Sequence, residues 1–189
     1  HRRSSAASDV YKRQVYIPAD RHELKFCYEK LLKEKTPKYL RLARGGEPNI
    51  HNEKIKSSKH YIEINKSSKI NILTSGTILI EVKNALKKIN KNNIGLISMP
   101  IINDNVKQEI RKVLIKSELI FTFEEHSPNG GLGSFIKEIS SELSNPPRVI
   151  SSGINKETIY KVGTQEYLRK ANKIDSKNIY KKILNYLNK

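Results

Sequence analysis

From Ile70 onward the apolar residues switch repeatedly between two periods. Short β-like runs occur at Ile70–Ser75 (INILTS), 93–98 (NIGLIS), 118–124 (ELIFTFE) and 148–151. Each is followed by apolar positions at helical spacing. Ile78, Leu79, Val82, Ala85, Leu86 and Ile89 form the first stripe. Val106, Ile110, Val113 and Leu114 form the second, and Phe135, Ile136, Ile139 and Leu143 the third. Gly76, Met99-Pro100 and Gly130-Gly131 mark turns between them, and two more helices are expected over 164–170 and Ser176–Leu187. Strands separated by helices of this length need right-handed crossovers and a largely parallel sheet. Residues 70–189 are therefore expected to be α/β, a mostly parallel sheet of about five strands flanked by helices.

The earlier part of the chain follows the same rhythm only briefly. Residues 15–17 are β-like and end in Pro18-Ala19-Asp20. Asp20 is placed to cap a helix over 21–33, with Leu24, Cys27, Tyr28, Leu31 and Leu32 on one face. Thr36-Pro37 ends that helix. Residues 39–43 read as a second strand before Gly45-Gly46. A lone strand–helix–strand unit cannot cover both faces of its own sheet, so 15–48 is expected to be the last piece of a second α/β domain. Residues 49–69 are polar and read as a linker, with one short strand at 61–64. Residues 1–14 (HRRSSAASDVYKRQ) show no apolar periodicity and resemble translated sequencing-adapter sequence. They are expected to be a non-native or disordered tail that packs on nothing, the natural protein continuing upstream of Val15; the alternative is a genuine basic tail.

Composition narrows the function classes. The chain has 189 residues, with 36 Lys and Arg against 19 Asp and Glu, a net charge of +17 and a mean hydropathy of −0.60. No run of about 18 apolar residues could span a membrane as a helix, and no apolar h-region opens the chain. Cys27 is the single cysteine, so no internal disulfide forms. The expected setting is reducing and cytoplasmic. The charge invites a nucleic-acid reading, but the lysines are scattered: Lys83, Lys87, Lys88 and Lys91; Lys107, Lys112 and Lys116; Lys173, Lys177, Lys181, Lys182 and Lys189. Neither an aromatic RNA-binding stripe nor a compact arginine cluster accompanies them. Nucleic acid and membrane are not expected partners.

Several longer segments carry a family resemblance. NILTSGT at 71–77, ISMPIIND at 97–104, FTFEEHSPNGGLGSFIKEI at 121–139 and the tail GTQEYLRKANKIDSKNIYKKI at 163–183 resemble the C-terminal domain of transketolase-like, thiamine-diphosphate-dependent enzymes. VYIPAD and YLRLARG, within 15–44, resemble the end of the pyrimidine-binding domain that precedes it. The resemblance implies an enzyme moving a two-carbon ketol unit between sugar phosphates. Thiamine diphosphate would be the covalent carrier and a divalent metal, Mg2+ or Ca2+, would hold its diphosphate. It implies a homodimer, and a missing N-terminal part or subunit carrying the cofactor-binding domain. The family's cofactor-activating glutamate and metal ligands have no counterpart here, so no catalytic residue is assigned, and this fragment alone is expected to bind no cofactor and to be inactive. Within the class, 1-deoxyxylulose-5-phosphate synthase and the 2-oxoacid dehydrogenase beta chain compete, the GTQE tail speaking against the latter. A non-catalytic dimerisation or regulatory module is the alternative outside it.

The resemblance places Arg44, in RLARG, where an arginine binds the substrate's phosphate. A guanidinium fork pairs phosphate oxygens in bidentate fashion; the other reading is a surface arginine pairing a carboxylate. Arg41, expected on the opposite face, is the competitor. Glu124, Glu125 and His126 look like an acid/base or metal cluster, yet neighbours at a strand end diverge, and the resemblance makes the stretch mainly structural, near a subunit contact. Glu125, His126, Gly130, Gly131 and Gly133 are held as an anion or interface loop, the glycines offering backbone N–H groups at a helix start or merely forming a tight turn. Cys27 is expected in the core, and His22, His51 and His60 in solvent.

Overall fold

The computed structural model describes residues 14–33, 35–66, 69–89 and 93–187. The tail assignment, 1–14, thus lies almost wholly outside the described residues. The alternation from Ile70 becomes β4 (Ile70–Ser75), a 3-10 turn at Gly76–Ile78, α2 (Leu79–Leu86), β5 (Ile94–Ser98), α3 (Asp104–Leu114), β7 (Leu119–Glu124), α4 (Leu132–Ser141) and β8 (Arg148–Ser152), closed by α5 (Gln165–Ala171) and α6 (Ser176–Leu187). β5, β4, β7 and β8 pair in parallel. The fifth strand is β3 (Ile62–Asn65), antiparallel on β5, giving the order β3-β5-β4-β7-β8. The segment read as a linker therefore contributes an edge strand.

Helices on both faces explain why the central strands are apolar in continuous runs. Ile72, Leu96 and Phe121 face one way, against Val82, Ala85, Ile179 and Ile183 of α2 and α6. Their neighbours Leu73, Ile97 and Ile120 face the other way, against Val106, Ile110, Ile136 and Ile139 of α3 and α4.

The strand–helix–strand unit is β1 (Gln14–Tyr16), α1 (Arg21–Leu31) and β2 (Lys38–Leu40). It forms a separate sheet, β2-β1-β6, in which β1 pairs in parallel with β2 and antiparallel with β6 (Ile101–Ile102). The partner strand that the unit lacks thus comes from the residues just after β5.

Asp20 caps α1, its Oδ1 accepting from the N–H groups of His22 and Glu23, both at 2.9 Å. Its Oδ2 accepts from the N–H groups of Ile50 and His51 and from His51 Nδ1. Burial pushes the Asp20 carboxyl up, but these donors outweigh it and hold the group well below the usual carboxylate range. The face of α1 differs from the expected one. Phe26 and Cys27 are buried with Glu23, whereas Tyr28 and Leu32 are exposed. A buried charge at position 23 hides the true stripe from a hydrophobicity pattern. His51 and His60 are likewise not in solvent: His51 pairs Asp20 at 3.1 Å, and His60 Nδ1 lies 2.9 Å from Glu109 Oε1. Cys27 is core, and burial pushes its thiol up.

Glu23 is fully buried and accepts from the Ala19 N–H at 2.7 Å. Burial raises its pKa from the usual 4.5 to about 7. A carboxyl raised in the fold stabilises it fully below pH 4.5, and that contribution is lost as pH rises through about 7. Glu23→Gln keeps the acceptor without the charge. We expect it to remove a fall of about 2–3 kcal/mol in unfolding free energy between those pH values, leaving the variant the more stable form at pH 8. Urea unfolding from pH 4.5 to 8 checks this; a parent protein with a flat profile would refute it.

Candidate functional site

In this sheet β4 is the first parallel strand, β5 lies on one side of it and β7 on the other. The chain crosses from β4 out to β5 and then back past β4 to β7, so a crevice opens at the carboxyl ends of β4 and β7, where α/β sheets bind ligands. A cleft of about 510 Å3 is there, lined among others by Arg41, Arg44, Thr77, Glu125, Gln165 and Arg169. Gly76 makes the turn out of β4 with φ 76°, and a Cβ on it would meet Ile17 Cγ2 at 2.9 Å. The small sheet thus packs closely against the crevice edge.

The floor of the cleft is a buried charge network. Arg169 on α5 donates from Nε to Glu125 Oε1 at 2.7 Å, from Nη1 to Glu81 Oε1 at 3.2 Å, and from Nη2 to Thr77 Oγ1 at 3.1 Å. Thr77 Oγ1 donates to the other oxygen of Glu125, and Gln165 Nε2 reaches Glu125, Thr77 and Glu47. Glu81 Oε2 accepts the Ser176 N–H at 2.8 Å, holding the start of α6. Both carboxylate oxygens of Glu125 therefore already accept hydrogen bonds from the chain itself.

Adjacent side chains at the end of β7 do diverge. Glu124 turns away from the cleft and is buried beneath the start of α4. Its Oε2 accepts the Leu132 N–H and its Oε1 the Gly133 N–H, both at 2.8 Å. Burial pushes the Glu124 carboxyl up against the pull of those bonds. The backbone donors that the glycine loop offered to an anion are thus taken by the chain's own carboxylate. Gly131 is what permits the approach: a Cβ there would lie 1.9 Å from Glu124 Oε2. Gly130 has φ 79°, and its N–H donates to Ser134 Oγ. His126 is exposed, with Nδ1 3.0 Å from the Ser127 carbonyl. Of the loop residues singled out in the sequence, Glu125 alone lines the cleft.

Arg44 lines the cleft and is exposed, with no hydrogen bond or ion pair among the described residues. Arg41 was expected on the opposite face, but it lines the same cleft and donates from Nη2 to the Glu125 carbonyl at 2.9 Å. The strand ends at Leu40, so the pleat no longer alternates the two arginines. Sequence reasoning also passed over Thr77, Glu81, Gln165 and Arg169. Thr77 and the last two lie in segments that carried the resemblance, but nothing in their spacing marks them as one network. Chemically the cleft presents cationic and amide donors, with its lining carboxylates already engaged.

Residues 60–179 match the family described as the transketolase C-terminal domain. An apulose-4-phosphate transketolase subunit of Actinobacillus succinogenes is 24% identical over 169 residues, spanning 88% of this chain and 54% of its own length. The 1-deoxy-D-xylulose-5-phosphate synthase of Vibrio parahaemolyticus is 27% identical over 179 residues, covering 93% of this chain but 28% of the synthase. This chain thus spans about half of the first relative and about a quarter of the second. Among solved structures, a split-gene transketolase described as an inactive beta4 tetramer superposes with a TM-score of 0.81 at 21% identity, over 92% of this chain and 57% of that one. Transketolase from Campylobacter jejuni superposes with a TM-score of 0.62 at 16% identity, over 92% of this chain and 26% of that one. With its matched residues spanning most of the five-stranded sheet and its flanking helices, the chain belongs to the transketolase C-terminal domain family.

Proposed function

We propose that this chain is the C-terminal section of a transketolase-like enzyme that transfers a two-carbon ketol unit between sugar phosphates, with Arg44 receiving a substrate phosphate. The observation carrying the reading is the exposed Arg44 guanidinium, free of protein partners among the described residues, on a cleft at the carboxyl ends of the strands. In this reading residues 15–48 end a pyrimidine-binding domain, 49–69 lead across and lend β3 to the edge of the second sheet, and 70–189 form the rest of the C-terminal domain. The partner is a further part or subunit carrying the diphosphate-binding domain, and the assembly is a homodimer. The Actinobacillus relative, itself one subunit of a transketolase, and the split-gene structure support a divided enzyme.

Thiamine diphosphate supplies an electron sink when bound. Its divalent metal needs several oxygen ligands at once. The groups free at this cleft are cationic, and among the described residues no three His, Cys, Asp or Glu side chains come together as a metal site. The residues here do not fit the metal-held diphosphate, and we assign it to the partner. The chain alone is accordingly expected to show no Mg2+-dependent heat on titration with thiamine diphosphate. Tight metal-dependent binding by the isolated chain would overturn this.

In the assembled enzyme Arg44→Ala is expected to weaken use of phosphorylated sugars roughly 10- to 150-fold, as one charge-assisted and bidentate contact is lost. Cofactor affinity should stay unchanged, and Arg44→Lys should recover only part because an ammonium lacks the planar fork. Steady-state kinetics on phosphorylated and unphosphorylated sugars decides this: equal losses on both would show that Arg44 does not hold the phosphate. The relationship to the 1-deoxy-D-xylulose-5-phosphate synthase favours a second reading, in which the assembled enzyme forms that deoxysugar phosphate. Its appearance as the product in place of a ketol-transfer product would select this reading.

A further inference from the structure

A second concavity lies next to the cleft, beyond a wall that includes Ile154 and Asn172. It is a polar hollow of about 760 Å3 between the end of β8, the 127–129 loop and α6. Lys156, Lys173, Lys181 and Lys182 line it, and no Asp or Glu does. The buried Arg169, by contrast, has Glu81 and Glu125, and the half-buried Lys107 has Glu138 and Glu142; the half-buried Arg41 and Lys83 each rest on a backbone carbonyl. Lys182 is half-buried, and its Nζ meets only neutral atoms, Ser152 Oγ at 2.5 Å and the Ser151 carbonyl at 3.4 Å. Burial pushes its pKa down with no carboxylate to offset it. An ammonium withdrawn from water without a counter-ion costs stability.

Lys173 adds a second, independent oddity. It is the one non-glycine residue at positive φ among the described residues, at 57°. It follows the end of α5, where glycine is the residue that adopts this backbone at least cost. Two lysines are thus held on one hollow in positions that the fold by itself disfavours, a mark of residues kept for a ligand.

We propose that this hollow binds a small phosphorylated metabolite, its phosphoryl group seated between Lys182 and Lys173 with Lys181 and Lys156 around it. The size of the hollow suits a sugar phosphate or a nucleotide. The site is separate from the substrate phosphate position at Arg44, and the proposal does not depend on that assignment. Its neighbour is the turn joining α5 to α6, so the ligand would brace the helices that carry Arg169 and that Glu81 holds at Ser176.

The test uses the full chain at constant ionic strength, with inorganic phosphate and pyrophosphate as probes and thermal unfolding and calorimetry as readouts. Saturable pyrophosphate binding that raises the melting temperature is expected. Lys182→Gln should weaken it roughly ten-fold or more, while raising the melting temperature of the ligand-free protein. Lys173→Gly should weaken binding and leave the free protein as stable or more so. The Lys182-dependent component of pyrophosphate binding should persist in Arg44→Ala. No saturable binding, unchanged binding in Lys182→Gln, or loss of that component in Arg44→Ala would each overturn the proposal. So would a steep salt dependence with tighter binding of a single-stranded oligonucleotide, which would mark a general polyanion surface instead.

Discussion

Gly131→Ala is expected to destabilise the fold by about 4 kcal/mol, through overpacking and two uncapped backbone donors together. The added Cβ would lie 1.9 Å from Glu124 Oε2 and 2.7 Å from the Ser127 carbonyl. One of these is a buried carboxylate and the other is backbone, so neither can move aside cheaply. Displacing the carboxylate frees the N–H groups of Leu132 and Gly133 inside the protein. Urea unfolding gives the magnitude, and faster hydrogen exchange at those two amides identifies the cause. The cost should shrink in a Glu124→Ala background, where the clash with the carboxylate is gone. A Gly131→Ala protein as stable as the parent would show that the carboxylate does not sit against this glycine.

The second large effect is expected at Arg169. Arg169→Ala should cost about 3–4 kcal/mol, because it leaves Glu81 and Glu125 without their cation. The exposures of the three side chains, 7% for Arg169, 19% for Glu81 and 20% for Glu125, keep water from replacing the lost guanidinium well. Arg169→Lys should recover part, since one ammonium cannot reproduce bonds from Nε, Nη1 and Nη2 to three partners. Loosening should spread along the tail, where Glu81 also holds the first turn of α6, so limited proteolysis within 165–187 should accelerate. Combining Arg169→Ala with Glu81→Gln and Glu125→Gln should cost less than Arg169→Ala alone. If the triple variant is instead the least stable, the network is not held by charge.

How much of this was legible in the sequence follows from what hydrophobic periodicity can carry. Val106, Ile110, Val113 and Leu114 are all buried as the spacing of α3 predicted, because that helix lies on a sheet and needs one apolar stripe. The parallel sheet followed from strands alternating with helices. Polar groups buried against polar groups leave no such trace. Glu23 lies on the buried face of α1, and a pattern that assigns charge to solvent rotates that helix wrongly. His51 and His60 looked unpartnered because Asp20 and Glu109 are remote in sequence. Glu125 and Arg44 were both singled out in the sequence and both line the cleft, but the network that engages Glu125 draws on Thr77, Glu81, Gln165 and Arg169. Those four come from distant segments that only the crossovers bring together.

The sheet completed by Ile101–Ile102 bears on how the chain is made. Synthesis delivers β1, α1 and β2 before the strand that covers the open edge of β1, which emerges only after β5. Until then Val15 and Tyr16 offer unpaired backbone groups on an uncovered edge, the kind that recruits other chains. The first sheet can close only once the second has begun to assemble, so nascent chains stopped short of residue 101 should need chaperone protection that longer ones do not.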